Sequence, residues 1–195
     1  MRNPRFVVSQ DLLLLRRRAF TTGAVLSAGA VALLAGREAL AANAKTGAAA
    51  TEADVRILNT ALAAEFEAVA AYQVGAESGL LSSGVLAVAV QFQGHHKEHA
   101  AAIAATVRKL GGRAVSAKAK YTFPVEQLKS QVDVVRFAAG LEQGAISAYL
   151  GAVSLFADRA LAQVAASILG DEAMHWAVLR QVLGETPAVP SAFMS

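Results

Sequence analysis

Four stretches of this chain carry apolar residues at spacings of three and four, and each apolar seam is interrupted near its middle by ionisable side chains. Such a seam is the buried stripe of a helical bundle. The first runs Leu58, Leu62, Glu65, Val69, Tyr72, and the second Phe92, His96, His99, Ile103, Thr106, Leu110. The third is Val135, Ala138, Glu142, Ala145, Tyr149, Ala152, Phe156, and the fourth Leu161, Ala165, Ile168, Glu172, His175, Leu179, Val182. Ionisable groups buried at similar depth without partners would each lose a large hydration energy. Convergence on a cation offsets that cost, so the pattern points to a metal site inside the bundle. A buried hydrogen-bond network among the same residues is the plainer alternative.

The punctuation between seams predicts four helices. Thr51, with Asp54 three residues on, is placed as the N-cap of the first, which runs to about Ser78; Lys45 to Ala50 is read as loose. A second helix is expected from about Val85 to Leu110, stopping at Gly111-Gly112. Residues 113–130 lack strong periodicity and form a long connection. A third helix is expected over roughly Gln131 to Phe156, and Asp158 caps a fourth that ends before Gly184. Short links within each helix pair and a long one between them predict an all-α four-helix bundle over 51–184, built of two antiparallel hairpins joined by a crossover. Residues 185–195 form a tail.

The hairpins repeat each other. Glu65 is followed seven residues later by Tyr72, and Glu142 likewise by Tyr149. His96 and Glu172 follow those glutamates at nearly equal distance, and each has a histidine three residues on, His99 and His175. Over about residues 51–184 the sequence resembles the ferritin-like superfamily, most of all its small exported bacterial members. Its most specific element is the Glu-x-x-His of Glu172 to His175. In that family two helices give one glutamate each and two give Glu-x-x-His, together holding two iron or manganese ions. The resemblance implies that Glu65, Glu142 and Glu172 are carboxylate ligands and that His96, His99 and His175 are imidazole ligands. It also implies oxidase- or peroxidase-type redox chemistry, with dioxygen or peroxide as the small-molecule partner.

The second helix departs from the family pattern, because His96 stands where a carboxylate is expected. Three carboxylates and three histidines are compatible with a mononuclear site, a weaker dinuclear one, or zinc in place of iron or manganese. His95 lies one residue off the seam and is expected at a helix edge or paired with Glu98. Tyr72 and Tyr149 are read as core aromatics with one hydrogen bond each. A non-catalytic envelope bundle with a degenerate, metal-free site is the rival reading.

Charge separates the chain into two parts. Residues 1–44 hold six arginines against Asp11 and Glu38, whereas the remainder holds 12 basic and 13 acidic groups. Basicity thus belongs to the leader, and the body carries no electrostatic footprint for nucleic acid. In the leader, Arg16-Arg17-Arg18-Ala19-Phe20 precedes an apolar run and Ala42-Asn43-Ala44 offers small residues for cleavage. It resembles a twin-arginine signal peptide cleaved after Ala44, implying a periplasmic or otherwise exported protein that meets the membrane only through that leader. The absence of cysteine excludes disulfides and thiolate metal ligands. Many small residues make close packing in a homo-oligomer possible, and charges on every helix argue against a membrane-embedded bundle.

Overall fold

The computed structural model describes residues 47–189, so the expected signal segment and its cleavage point lie outside the described residues. Four helices account for most of them: α1 (Gly47–Glu77), α2 (Ser83–Lys109), α3 (Gln131–Val153) and α4 (Arg159–Val182). A short 3-10 turn, Val125–Gln127, lies in the connection between α2 and α3. No strand occurs among the described residues, and none of their helices is long and apolar enough to cross a membrane. Packing is concentrated within the α1–α2 and α3–α4 hairpins, with α1 meeting α3 across the bundle.

Local chemistry sets the ends of these helices. Gly111 adopts φ +78°, its N–H bonds Arg108 O, and the N–H of Gly112 bonds Val107 O. This is the Schellman closure that the glycine pair predicts. The same closure recurs at Gly184, where φ is +72°. Gly112 is also a close approach, since a Cβ there would meet Val55 Cγ1 at 2.6 Å. Ser130 caps α3 by accepting from the N–H of Asp133, and Asp158 caps α4 by accepting from Ala160.

The start of α1 differs from expectation. The helix already runs at Gly47, and Thr51 lies inside it with its hydroxyl donating to Gly47 O at 2.9 Å. Three alanines, Ala48 to Ala50, have the highest helix propensity and carry the helix one turn further back. Asp54 has a different task from the one its capping-box position suggests. Its carboxylate, 2% exposed, accepts from the N–H groups of Ala157 at 2.8 Å and Asp158 at 3.0 Å, pinning the α3–α4 link to α1. Asp54→Ala removes both hydrogen bonds to this exposed link and is expected to cost about 1–3 kcal/mol. Urea unfolding of the variant against the wild type measures that loss.

The core divides into two apolar clusters at opposite ends of the bundle. One gathers Ile57, Leu62, Ile103, Val107, Phe156 and Ile168, from the first half of α1, the end of α2, the α3–α4 link and the first half of α4. The other gathers Tyr72, Phe92, Val135 and Leu179 from the opposite helix ends. Between them each helix turns its ionisable residues inward. Apolar layers above and below seal a polar layer from bulk water.

Candidate metal centre

All six side chains singled out from the sequence meet in that middle layer. Glu65, His96, Glu142, Glu172 and His175 are each 3% exposed or less, and His99 is nearly as buried. The spacing of three explains the pairs, because residues i and i+3 share a helix face. His96 and His99 therefore project together from α2, as Glu172 and His175 do from α4.

The near-repeat of Glu and Tyr becomes a crossed pair in space. Tyr72 of α1 donates its hydroxyl to Glu142 of α3, and Tyr149 of α3 donates to Glu65 Oε1 of α1 at 2.5 Å. Equal offsets of seven residues on antiparallel helices bring each tyrosine beside the other helix's glutamate. Each tyrosine thus makes the single hydrogen bond expected of it, and it orients a carboxylate. Burial pushes both phenols well above their usual range, and the facing carboxylates push them further, so both stay protonated as donors.

His96 occupies the centre. Its Nδ1 lies 2.8 Å from Glu65 Oε2 and its Nε2 lies 3.3 Å from Glu142 Oε1. Two groups of candidate ligand atoms surround it: Glu65, His96, His99 and Glu172 form one, and His96, Glu142, Glu172 and His175 form the other. Within each group the atoms lie within 4.8 Å of one another. Glu172 and His96 belong to both.

Five buried atoms in this layer have no hydrogen-bond partner among the described residues: His99 Nδ1, Glu142 Oε2, both oxygens of Glu172, and His175 Nδ1. Several nevertheless approach one another closely, as His99 Nδ1 does Glu172 Oε1 at 3.3 Å and His175 Nδ1 does Glu172 Oε2 at 3.3 Å. They are near in distance but not aligned as donor to acceptor, so the distances are ion-pair approaches rather than hydrogen bonds. Orphaned buried polar atoms are costly and rare. Lone pairs gathered without mutual alignment suit a shared cation, and the carboxylate and imidazole donor set suits iron, manganese or zinc. The residues present fit a metal ion.

A family model for the ferritin-like domain matches residues 53–185. The chain belongs to the ferritin-like domain family. A crystal structure of a conserved hypothetical protein from Mycobacterium tuberculosis is similar in fold, with a TM-score of 0.61 at 26% identity. That match covers 74% of this chain and 99% of the other. No curated protein gives a significant match.

Two residues of this ferritin-like layer escaped the seam pattern. His95 neither stays at a helix edge nor pairs with Glu98, because its Nδ1 lies 2.8 Å from His175 Nε2. Phe92 stacks on the His175 ring, with centroids 4.0 Å apart. Asp171 Oδ2 lies 3.3 Å from His99 Nε2. Each stands one position before its helix's first candidate ligand, about 100° round the helix, where it reaches the neighbouring helix rather than the seam.

The protonation of the metal-free layer follows from its charges. Burial alone would lower His96 and His99, but close carboxylates outweigh it: Glu142, Glu65 and Glu172 raise His96 to about 11, and Glu172 and Glu65 raise His99 to about 10. Burial alone would raise Glu65 and Glu142, but the histidines hold both below the usual carboxylate range. Glu172 is raised, first by burial. The raised histidines stabilise the fold fully below their usual 6.5 and lose that contribution as pH climbs through their folded values. The lowered carboxylates contribute above their usual 4.5 and lose it as pH falls. A metal ion requires neutral imidazoles, so it competes with the same protons. Thermal unfolding with and without Mn(II) is expected to show a stabilising increment that grows from about pH 6 to about pH 9. An increment independent of pH would mean that Mn(II) binds away from the histidines.

Proposed function

We propose that this ferritin-like protein is exported and holds iron or manganese in its central layer for oxidase- or peroxidase-type chemistry. The observation that carries the reading is the set of five orphaned buried ligand atoms enclosed by four helices. Glu65, Glu142 and Glu172 would hold the metal through carboxylate oxygens, and His96, His99 and His175 through imidazole nitrogens. A bound iron or manganese ion supplies the one-electron couple needed to reduce dioxygen or peroxide.

The chain's own contribution is enclosure and orientation. Apolar layers on both sides exclude bulk water, which favours a very small substrate over a bulky one. Tyr149 and Tyr72 keep Glu65 and Glu142 turned inward by donating to them. Asp171 and His95 hold the outer nitrogens of His99 and His175. The ferritin-like fold by itself does not fix the reaction. Export is proposed from the arginine-led leader and its small-residue end.

One observation favours a second reading. His96 already contacts carboxylates through both ring nitrogens, and a charged imidazolium there offsets part of the negative charge without any ion. In that reading the layer is a non-catalytic network in an envelope bundle. Anaerobic reconstitution with Fe(II), followed by measured dioxygen or peroxide consumption, separates the two. The redox reading expects consumption that Glu172→Gln abolishes. Consumption equal to that of free Fe(II) in both proteins would contradict it.

A further inference from the structure

His96 and Glu172 belong to both groups of candidate ligands, and they cannot serve both in the same manner. A carboxylate has two oxygens and can give one to each of two ions. A neutral imidazole has a single lone-pair nitrogen, so His96 completes one half at the expense of the other. The remaining ligands are matched: a glutamate oriented by a tyrosine and a histidine on each side.

The asymmetry lies behind those two histidines. His99 turns Nδ1 toward Glu65 and Glu172 and sets Nε2 against the carboxylate of Asp171. His175 turns Nδ1 toward Glu142 and Glu172 and sets Nε2 against the imidazole of His95. A carboxylate that accepts the outer N–H makes the inner nitrogen a stronger donor to a cation and adds negative charge. A neutral imidazole acceptor adds no charge. Asp171 is 41% exposed, so part of its field is screened by water.

We infer that the two halves load unequally. A first divalent cation binds at Glu65, His96, His99 and Glu172, and a second binds more weakly at Glu142, Glu172 and His175. Asp171 and His95 are the positioning residues that set this order. The inference rests on the metal-binding reading and adds which half is tight and why.

Titration of the metal-free protein with Co(II) alone, followed by calorimetry and by visible absorption, tests it. The wild type is expected to bind in two steps at least about tenfold apart. Asp171→Asn is expected to weaken the first step by about ten- to hundredfold, the usual effect of losing a supporting partner, while leaving the second step in place. Asp171→Glu should restore the first step, and His95→Asp should tighten the second by about tenfold. Far-UV circular dichroism checks that each variant keeps its helices. If only one ion binds, dependence on Asp171 supports the order and dependence on His95 overturns it. Two equal steps, or an Asp171→Asn effect confined to the second step, also overturn it. Absence of any Co(II) uptake overturns the metal reading itself, and this inference with it.

Discussion

Glu172→Gln is expected to abolish metal uptake while leaving the metal-free bundle no less stable than the wild type. Glu172 is fully buried, and neither of its oxygens has a hydrogen-bond partner among the described residues. Burial holds its carboxyl above the usual range, against the pull of His175 and His99. A carboxylate so placed adds little to the metal-free fold, because desolvation of a buried ion tends to exceed its Coulombic gain. Glutamine has the same shape but carries no charge and cannot bridge two cations through paired anionic oxygens. The expected loss of Mn(II) or Fe(II) affinity exceeds the roughly hundredfold seen when only a supporting partner is removed. The raised carboxyl of Glu172 means that ionisation there opposes the metal-free fold, so the neutral glutamine is not expected to lower metal-free stability. Metal titration and urea unfolding on the same preparation check both parts. Unchanged uptake would exclude Glu172 as a ligand, and a large loss of stability with no metal present would mark it as part of a structural network.

His96→Glu is expected to act in opposite directions with and without metal. Without metal it replaces an imidazole that contacts Glu65, Glu142 and Glu172 by a fourth buried carboxylate. Breaking a buried ion pair in this way typically costs about 3–5 kcal/mol, and the added repulsion increases it. Part of the cost is relieved by proton uptake, so the variant's metal-free form should be more stable at acid pH than at neutral pH. With metal the new carboxylate can bridge, which raises the affinity of the second ion. The variant therefore unfolds at a lower temperature than the wild type when free of metal and recovers most of that loss when saturated with Mn(II). Thermal unfolding with and without Mn(II) reads both effects. Loss of stability that Mn(II) cannot restore would show that His96 serves the fold alone.

The sequence carried the layer but not its wiring. Glu65, Glu142, Glu172, His96, His99 and His175 could be read because a helix buries one stripe and these residues interrupt it at equal depth. The two Schellman stops could be read because Gly111 and Gly184 sit where a left-handed residue is required. The pairing of Tyr72 with Glu142 and of Tyr149 with Glu65 could not, since the register between α1 and α3 is fixed by packing across the bundle. The repeat was visible without its meaning. His95 and Asp171 were hidden for a related reason: their faces become interior only once a particular neighbouring helix stands beside them. Asp54 resembled a capping residue, yet its partners lie more than 100 positions away in the chain.

The most direct test is elemental analysis of residues 45–195, purified from a host competent for export without chelators or a histidine tag and then reconstituted anaerobically with Fe(II) or Mn(II). The metal-site reading predicts bound iron or manganese, one tightly held equivalent and a second that washes out more readily, both lost in Glu172→Gln. A wild-type protein that emerges metal-free, and that takes up neither ion on reconstitution, would contradict it.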